Sequence, residues 1–174
     1  MELHQLFKIQ NIIEGNIRSY TDIKEDHLGE ENIFDLRFLA LQVKTAEIAN
    51  LTKCYKYSKV KPHIPQDKLF ARFLDSMGFL LSIGNVHEFN IIDLEAINGM
   101  EKEDSIIRIF SFIFDDLTAL RHSLQHQKDY YTSLSIYIRI FARYLNLAEQ
   151  LNITFEEIFD YYLRKHHIEE ALSS

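Results

Sequence analysis

Two short spacings place charged groups where chemistry, or an unusual structural bond, is expected: Lys44 with Glu47, and Arg72 with Asp75. Residues three apart on a helix face the same way, so each couple can form an ion pair one turn long. Glu47 is the most informative of the four. It interrupts a stripe of Leu36, Leu39, Ala40, Val43, Asn50 and Cys54 that recurs at helical period. A carboxylate on an apolar face is costly unless it is paired or binds a cation. As two unrelated surface pairs, by contrast, the couples would each be worth only about 0.2–0.5 kcal/mol.

Other candidates carry less. His122 and His126 stand four apart and could share a metal, but no third ligand accompanies them and no zinc-protease glutamate lies between. They read as two exposed histidines. His166 and His167 fall on different helix faces. Cys54 is the only cysteine, so no internal disulfide can form and a reducing compartment is expected. Its place in the apolar stripe makes it a core thiol rather than a nucleophile.

These groups must be positioned by helices. The chain has 174 residues, enough for one domain spanning 1–174 with a real core. Two prolines and five glycines are too few for many short strands and turns, which predicts a few long helices. A net charge of −7 disfavours a nucleic-acid backbone or an anionic membrane surface as partner. The N-terminus shows no signal-peptide pattern, and the densest apolar run, Ile106 to Phe114, falls short of the roughly 20 residues that span a bilayer. A cytoplasmic protein is expected.

Periodicity predicts a first helix over 3–19, a polar loop over 21–31 and a second helix over 32–56. After the basic connector from Lys59 to His63, Pro65 suits the first turn of a third helix and Gly84 its C-terminal cap. Residues 85–102 show no sustained period. Further helices are expected over 103–127 and 130–151. The last begins at a capping box, Thr154 to Glu157. Segment 106–114 and the tyrosines 130, 131, 137 and 144 suit either core packing or oligomer burial, with burial in a homodimer preferred for so short a chain.

The run from Leu39 to Asn50, LALQVKTAEIAN, resembles a signature of the dimeric all-α dUTPases, which group with the MazG-like nucleotide pyrophosphohydrolases. In the family this helix reads like L-A-L-x-V-E-x-x-E-L-A-N. The segment Cys54 to Ser58 is similar to the family's C-F-K-F-W. Residues 72–84 are similar to its E-x-x-D helix and following apolar run. The stretches 6–10, 155–158 and 161–165 resemble its first and closing helices. The resemblance covers nearly the whole chain and implies an all-α helical bundle of the NTP pyrophosphatase type.

In active relatives the E-x-x-E and E-x-x-D pairs hold Mg²⁺, which takes oxygen ligands, activates water and offsets phosphate charge. Carried over residue by residue, Lys44 and Arg72 replace two of the acids, and Glu47 and Asp75 remain as remnants of the metal site. Four acids would carry four negative charges, whereas these four side chains sum to zero. Ammonium and guanidinium groups have no lone pair to offer a metal. The chain also has no tryptophan, leaving Tyr57 or Ser58 where the family places an aromatic near the base. Of the closing K-N-x-x-N-x-x-R only Lys165 survives, followed by Glu169 and Glu170, which would repel a triphosphate.

The resemblance therefore implies a dUTPase-like protein with impaired catalysis and no cofactor, kept to bind a deoxyuridine nucleotide or a protein partner. The preferred reading of the four side chains is a cross-helix salt-bridge cluster replacing the metals. A middle reading has Lys44, Arg72, Lys56 and Lys165 hold a phosphate directly; Gln10 matches the family's base-recognition glutamine or is simply a buried polar residue. The alternative is a working Mg²⁺-dependent dUTP diphosphatase recruiting further acids such as Glu14 or Asp67. A structural helical interaction module is the third.

Overall fold

The computed structural model describes residues 3–20, 30–56 and 63–165. They form α1 (Leu3–Tyr20), α2 (Glu30–Thr52), α3 (Gln66–Val86), α4 (Leu94–Asn98), α5 (Ile106–Gln125), α6 (Tyr130–Gln150) and α7 (Phe155–Lys165), with no strand among the described residues. The expected loop over 21–31 falls almost wholly, and the basic connector largely, outside them.

Polar side chains fix several helix starts. Asp129 accepts from the N–H groups of Tyr131 (2.9 Å) and Thr132 (3.1 Å), and Ser105 accepts from that of Arg108. At α7 the capping box forms in both directions: Glu157 N donates to Thr154 Oγ1 at 3.1 Å, and Thr154 N donates to Glu157 Oε2 at 2.8 Å.

Two antiparallel pairs make up the frame. α5 and α6 are tied by Ser123 to Ser133 at one end and by Asp116 to Arg139 (2.9 Å) midway. α2 runs against α3, and α3 also packs on α1 and α6. The core gathers Phe7, Phe73, Phe89, Tyr137, Phe141 and Tyr144, all but sealed from solvent. By length and composition α3 is apolar enough to cross a membrane, but over half of its most apolar stretch is buried inside the fold, as in a core helix.

Four expectations need correction. The buried face of α2 is Phe38, Leu41, Thr45, Ile48 and Thr52, while Leu36, Leu39 and Val43 of the expected stripe are 48%, 61% and 46% exposed. α2 carries apolar residues on two opposite sides, and helical period cannot say which side meets α3. Pro65 precedes α3 rather than opening its first turn. Gly84 does not cap α3. The helix runs through it to Val86, and the left-handed residue that follows is Glu88 (φ 62°). Gly84 is instead a packing glycine: a Cβ there would lie 2.6 Å from Phe7 Cε1 and collide with the Tyr137 hydroxyl. Finally, the stretch read as irregular contains α4, whose single turn is too short to show a period and is capped by Asp93. The aromatic and Ile-rich segments divide: Ile109, Phe110, Ile113, Tyr137 and Tyr144 are core, whereas Ile107 and Tyr131 face outward.

Candidate functional site

Because α2 and α3 are antiparallel, the two i,i+3 couples meet head to tail and close a ring. Lys44 Nζ lies 3.4 Å from Glu47 Oε2 and 3.9 Å from Asp75 Oδ2, while Arg72 lies 3.2 Å from Glu47 Oε2 and 3.7 Å from Asp75 Oδ2. Each cation therefore contacts both acids. All four side chains are about a quarter to a half exposed, so the ring is partly open to solvent along the α2–α3 contact. Its distances exceed the 2.7–2.9 Å typical of tight charge-assisted bonds, which leaves the ring neutral but loosely bonded.

Beneath it lies a buried hydroxyl cluster. Thr45, next to Lys44, donates to Leu41 O at 2.7 Å and is hydrogen-bonded to the Tyr144 hydroxyl. Ser76, next to Asp75, is buried and donates to Arg72 O at 3.2 Å. Burial drives the Tyr144 phenol far up and outweighs the opposing effect of the neighbouring Thr45 and Ser76 hydroxyls, so it stays neutral. Tyr144 thus bonds α6 to α2 under the ring and packs its ring against Phe73 of α3. Sequence reading gives Tyr144 only as a core or interface tyrosine and assigns nothing to Thr45 or Ser76; the visible signal is Thr45, a hydroxyl between Leu41 and Ile48 on what proves to be the buried stripe.

At the Asp75 end, Tyr162 from α7 donates to Leu74 O at 3.1 Å. Its phenol is pushed far up by burial first, then by the negative charges of Asp75 and Glu14. Gln10 is buried and donates to Glu14 Oε1 at 3.1 Å. Gly78 faces both: a Cβ there would sit 3.2 Å from the Tyr162 hydroxyl and 3.5 Å from Gln10 Oε1. The fold therefore gathers Gln10, Glu14 and Tyr162 beside Asp75.

The remaining candidates are dispersed. Lys56 is exposed in the turn after α2, where Tyr55 Oη donates to Asn50 Oδ1 at 2.7 Å. Asp67 is exposed in the first turn of α3, where a carboxylate favours the helix dipole. The rings of His122 and His126 are 4.2 Å apart on the surface of α5, and Cys54 is a partly buried thiol packed on the core. Tyr57, His166, His167, Glu169 and Glu170, together with the side chain of Lys165, lie outside the described residues.

Mg²⁺ is the ion that the resemblance implies, and the ring does not fit it. Two of its four members are cations, each contacting both acids, and among the described residues no group of three or more Asp, Glu, His or Cys could hold a metal.

An all-helical frame with facing charged couples on an antiparallel helix pair is the class of protein defined so far. The dUTPase family model matches residues 2–171, and the chain belongs to that all-α family. Comparison with curated proteins and with solved structures gives no match.

Proposed function

We propose that the chain is a dUTPase-family protein that releases no pyrophosphate from dUTP at enzymatic rates, and that it is retained as a cytoplasmic homodimer to bind a deoxyuridine nucleotide. The observation that carries this is the contact of Lys44 and Arg72 with both Glu47 and Asp75. A site that holds catalytic Mg²⁺ needs uncommitted anionic oxygens, and here they are neutralised. The same two cations have donors to spare: Lys44 has three N–H groups and Arg72 five. They can meet phosphate oxygens directly, as point charge and planar fork.

The test has two readouts. Pyrophosphate release from dUTP with Mg²⁺ is expected to stay at background; normal turnover overturns the reading. Thermal shift with dUMP and dUTP is expected to show stabilisation, since a ligand at about 100 times its Kd contributes about 2.7 kcal/mol. Absence of any shift favours a helical interaction module instead. That second reading is supported by the exposed Leu36, Leu39 and Val43 on α2. The active-enzyme alternative draws on Glu14, whose charge reaches the same Tyr162 hydroxyl as that of Asp75. Turnover abolished by Glu14→Gln would establish it.

A further inference from the structure

We infer that the hollow between α4 and α6 binds a small amphipathic cation, an apolar body carrying one protonated amine. The hollow lies away from the ring of charges, and its role is independent of the proposed function.

The size, lining and charge of the hollow each point to such a ligand. Its volume is about 540 Å³, within the roughly 300–1,000 Å³ of small-ligand sites. The apolar lining comes from Leu94 and Ile97 of α4, Met100 just after it, Ala142 and Leu145 of α6, and Phe155 at the start of α7. On α6 the lining residues Ala142, Leu145 and Glu149 are spaced three and four apart, a face turned away from Tyr144. The wall is held without any ligand. The buried Asn146 amide accepts from Glu103 N at 2.9 Å and donates to Glu103 O at 3.1 Å, clasping the segment after α4 to α6.

The rim is acidic. Residues 93–104 hold five acids, Asp93, Glu95, Glu101, Glu103 and Asp104, against one base, Lys102. Lys102 is committed to Glu149 at 2.8 Å. Glu101, exposed on the lining, has no ion pair among the described residues. The long α6 also ends here, at Gln150, and a helix C-terminus adds negative potential. The opposite potential of the α7 N-terminus is offset by Glu156 and Glu157 in its first turn. An ammonium at the mouth would meet Glu101 and share Glu149 with Lys102 at little cost, because exposed pairs of that kind contribute little. A carboxylate on the same apolar body would meet a rim whose one lysine is already paired.

The test is calorimetric titration of n-octylamine into nucleotide-free full-length protein at neutral pH and low salt. n-Octanoate and n-octanol serve as probes of the same chain length. Octylamine is expected to bind at least roughly tenfold more tightly than octanoate (about 1.4 kcal/mol), and to weaken as salt is raised. Ala142→Phe, which adds a ring to the lining, should abolish octylamine binding. If that variant does not fold, E101Q/E149Q, changed at two exposed positions, decides: it should bring the amine down to the affinity of octanol. Equal binding of octylamine and octanoate, binding that both variants leave unchanged, or no binding at all overturns the inference. So does an oligomer that Ala142→Phe dissociates while octylamine fails to bind, which would make a second copy the occupant. Nucleotide binding at the ring of charges is decided separately, with dUMP and dUTP.

Discussion

Single side chains here are held by close fit more than by charge. Gly84 lies where Phe7 of α1 and Tyr137 of α6 converge on α3, and Tyr137 uses its hydroxyl to reach Leu80 O at 2.7 Å. Gly84→Ala should cost about 1–3 kcal/mol by overpacking, visible as a lower urea midpoint with unchanged m; an unchanged midpoint would show that the contact yields freely. His87 supplies a pH-dependent term. Its ring stands against Phe34 and Phe89, and burial, then the charge of Arg37, lowers its pKa from 6.5. The folded state therefore binds this proton less readily than the unfolded chain, so stability is complete above about pH 6.5 and declines as pH falls towards the folded value. Melts between pH 7.5 and 5.5 should show that slope, and His87→Gln should reduce it; equal slopes would remove His87 as the cause.

Among the helices, α1 keeps a residue that suits it poorly. Gly15 is exposed in mid-helix, and a Cβ there would meet nothing within 4 Å. Gly15→Ala should stabilise by about 0.5–1 kcal/mol, a Tm rise of roughly 2–4 °C per kcal/mol at this size; a fall would mean that the site has an unseen neighbour. The elements differ in how plainly sequence announces them, and the reason is the range of the interaction that fixes each. The α7 start was readable because Thr154 and Glu157 satisfy each other within one turn. Gly84 was misread as a cap because its cause, Tyr137, lies 53 positions away. The α2 face was misread for the same reason: Tyr144 and α3 decide that Thr45 goes inward and Val43 outward. At the ring of charges, the couples 44/47 and 72/75 are readable by spacing, whereas Tyr144 and Tyr162 arrive from α6 and α7, and no local pattern announces them.

For the whole molecule, the open question is what covers the outer side of α2. Leu36, Leu39 and Val43 are followed by Ala46 and Asn50, all exposed and spaced three, four, three and four apart. This is the spacing of a two-helix coil, in which a single Asn at such a position sets register at some cost in stability. Scattered exposed apolar residues such as Ile91 need no partner, but an ordered seam on one helix matches another helix of the same kind, which a two-fold axis would supply from a second copy. The homodimer proposed above would then bury this face while leaving the ring of charges at its edge, since Glu47 directly follows Ala46. Leu39→Asp should yield a monomer by light scattering with unchanged far-ultraviolet dichroism, because Leu39 is 61% exposed within the protomer. A wild-type monomer at tens of micromolar, or a Leu39→Asp dimer, would place the interface elsewhere and leave the α2 seam for a different protein.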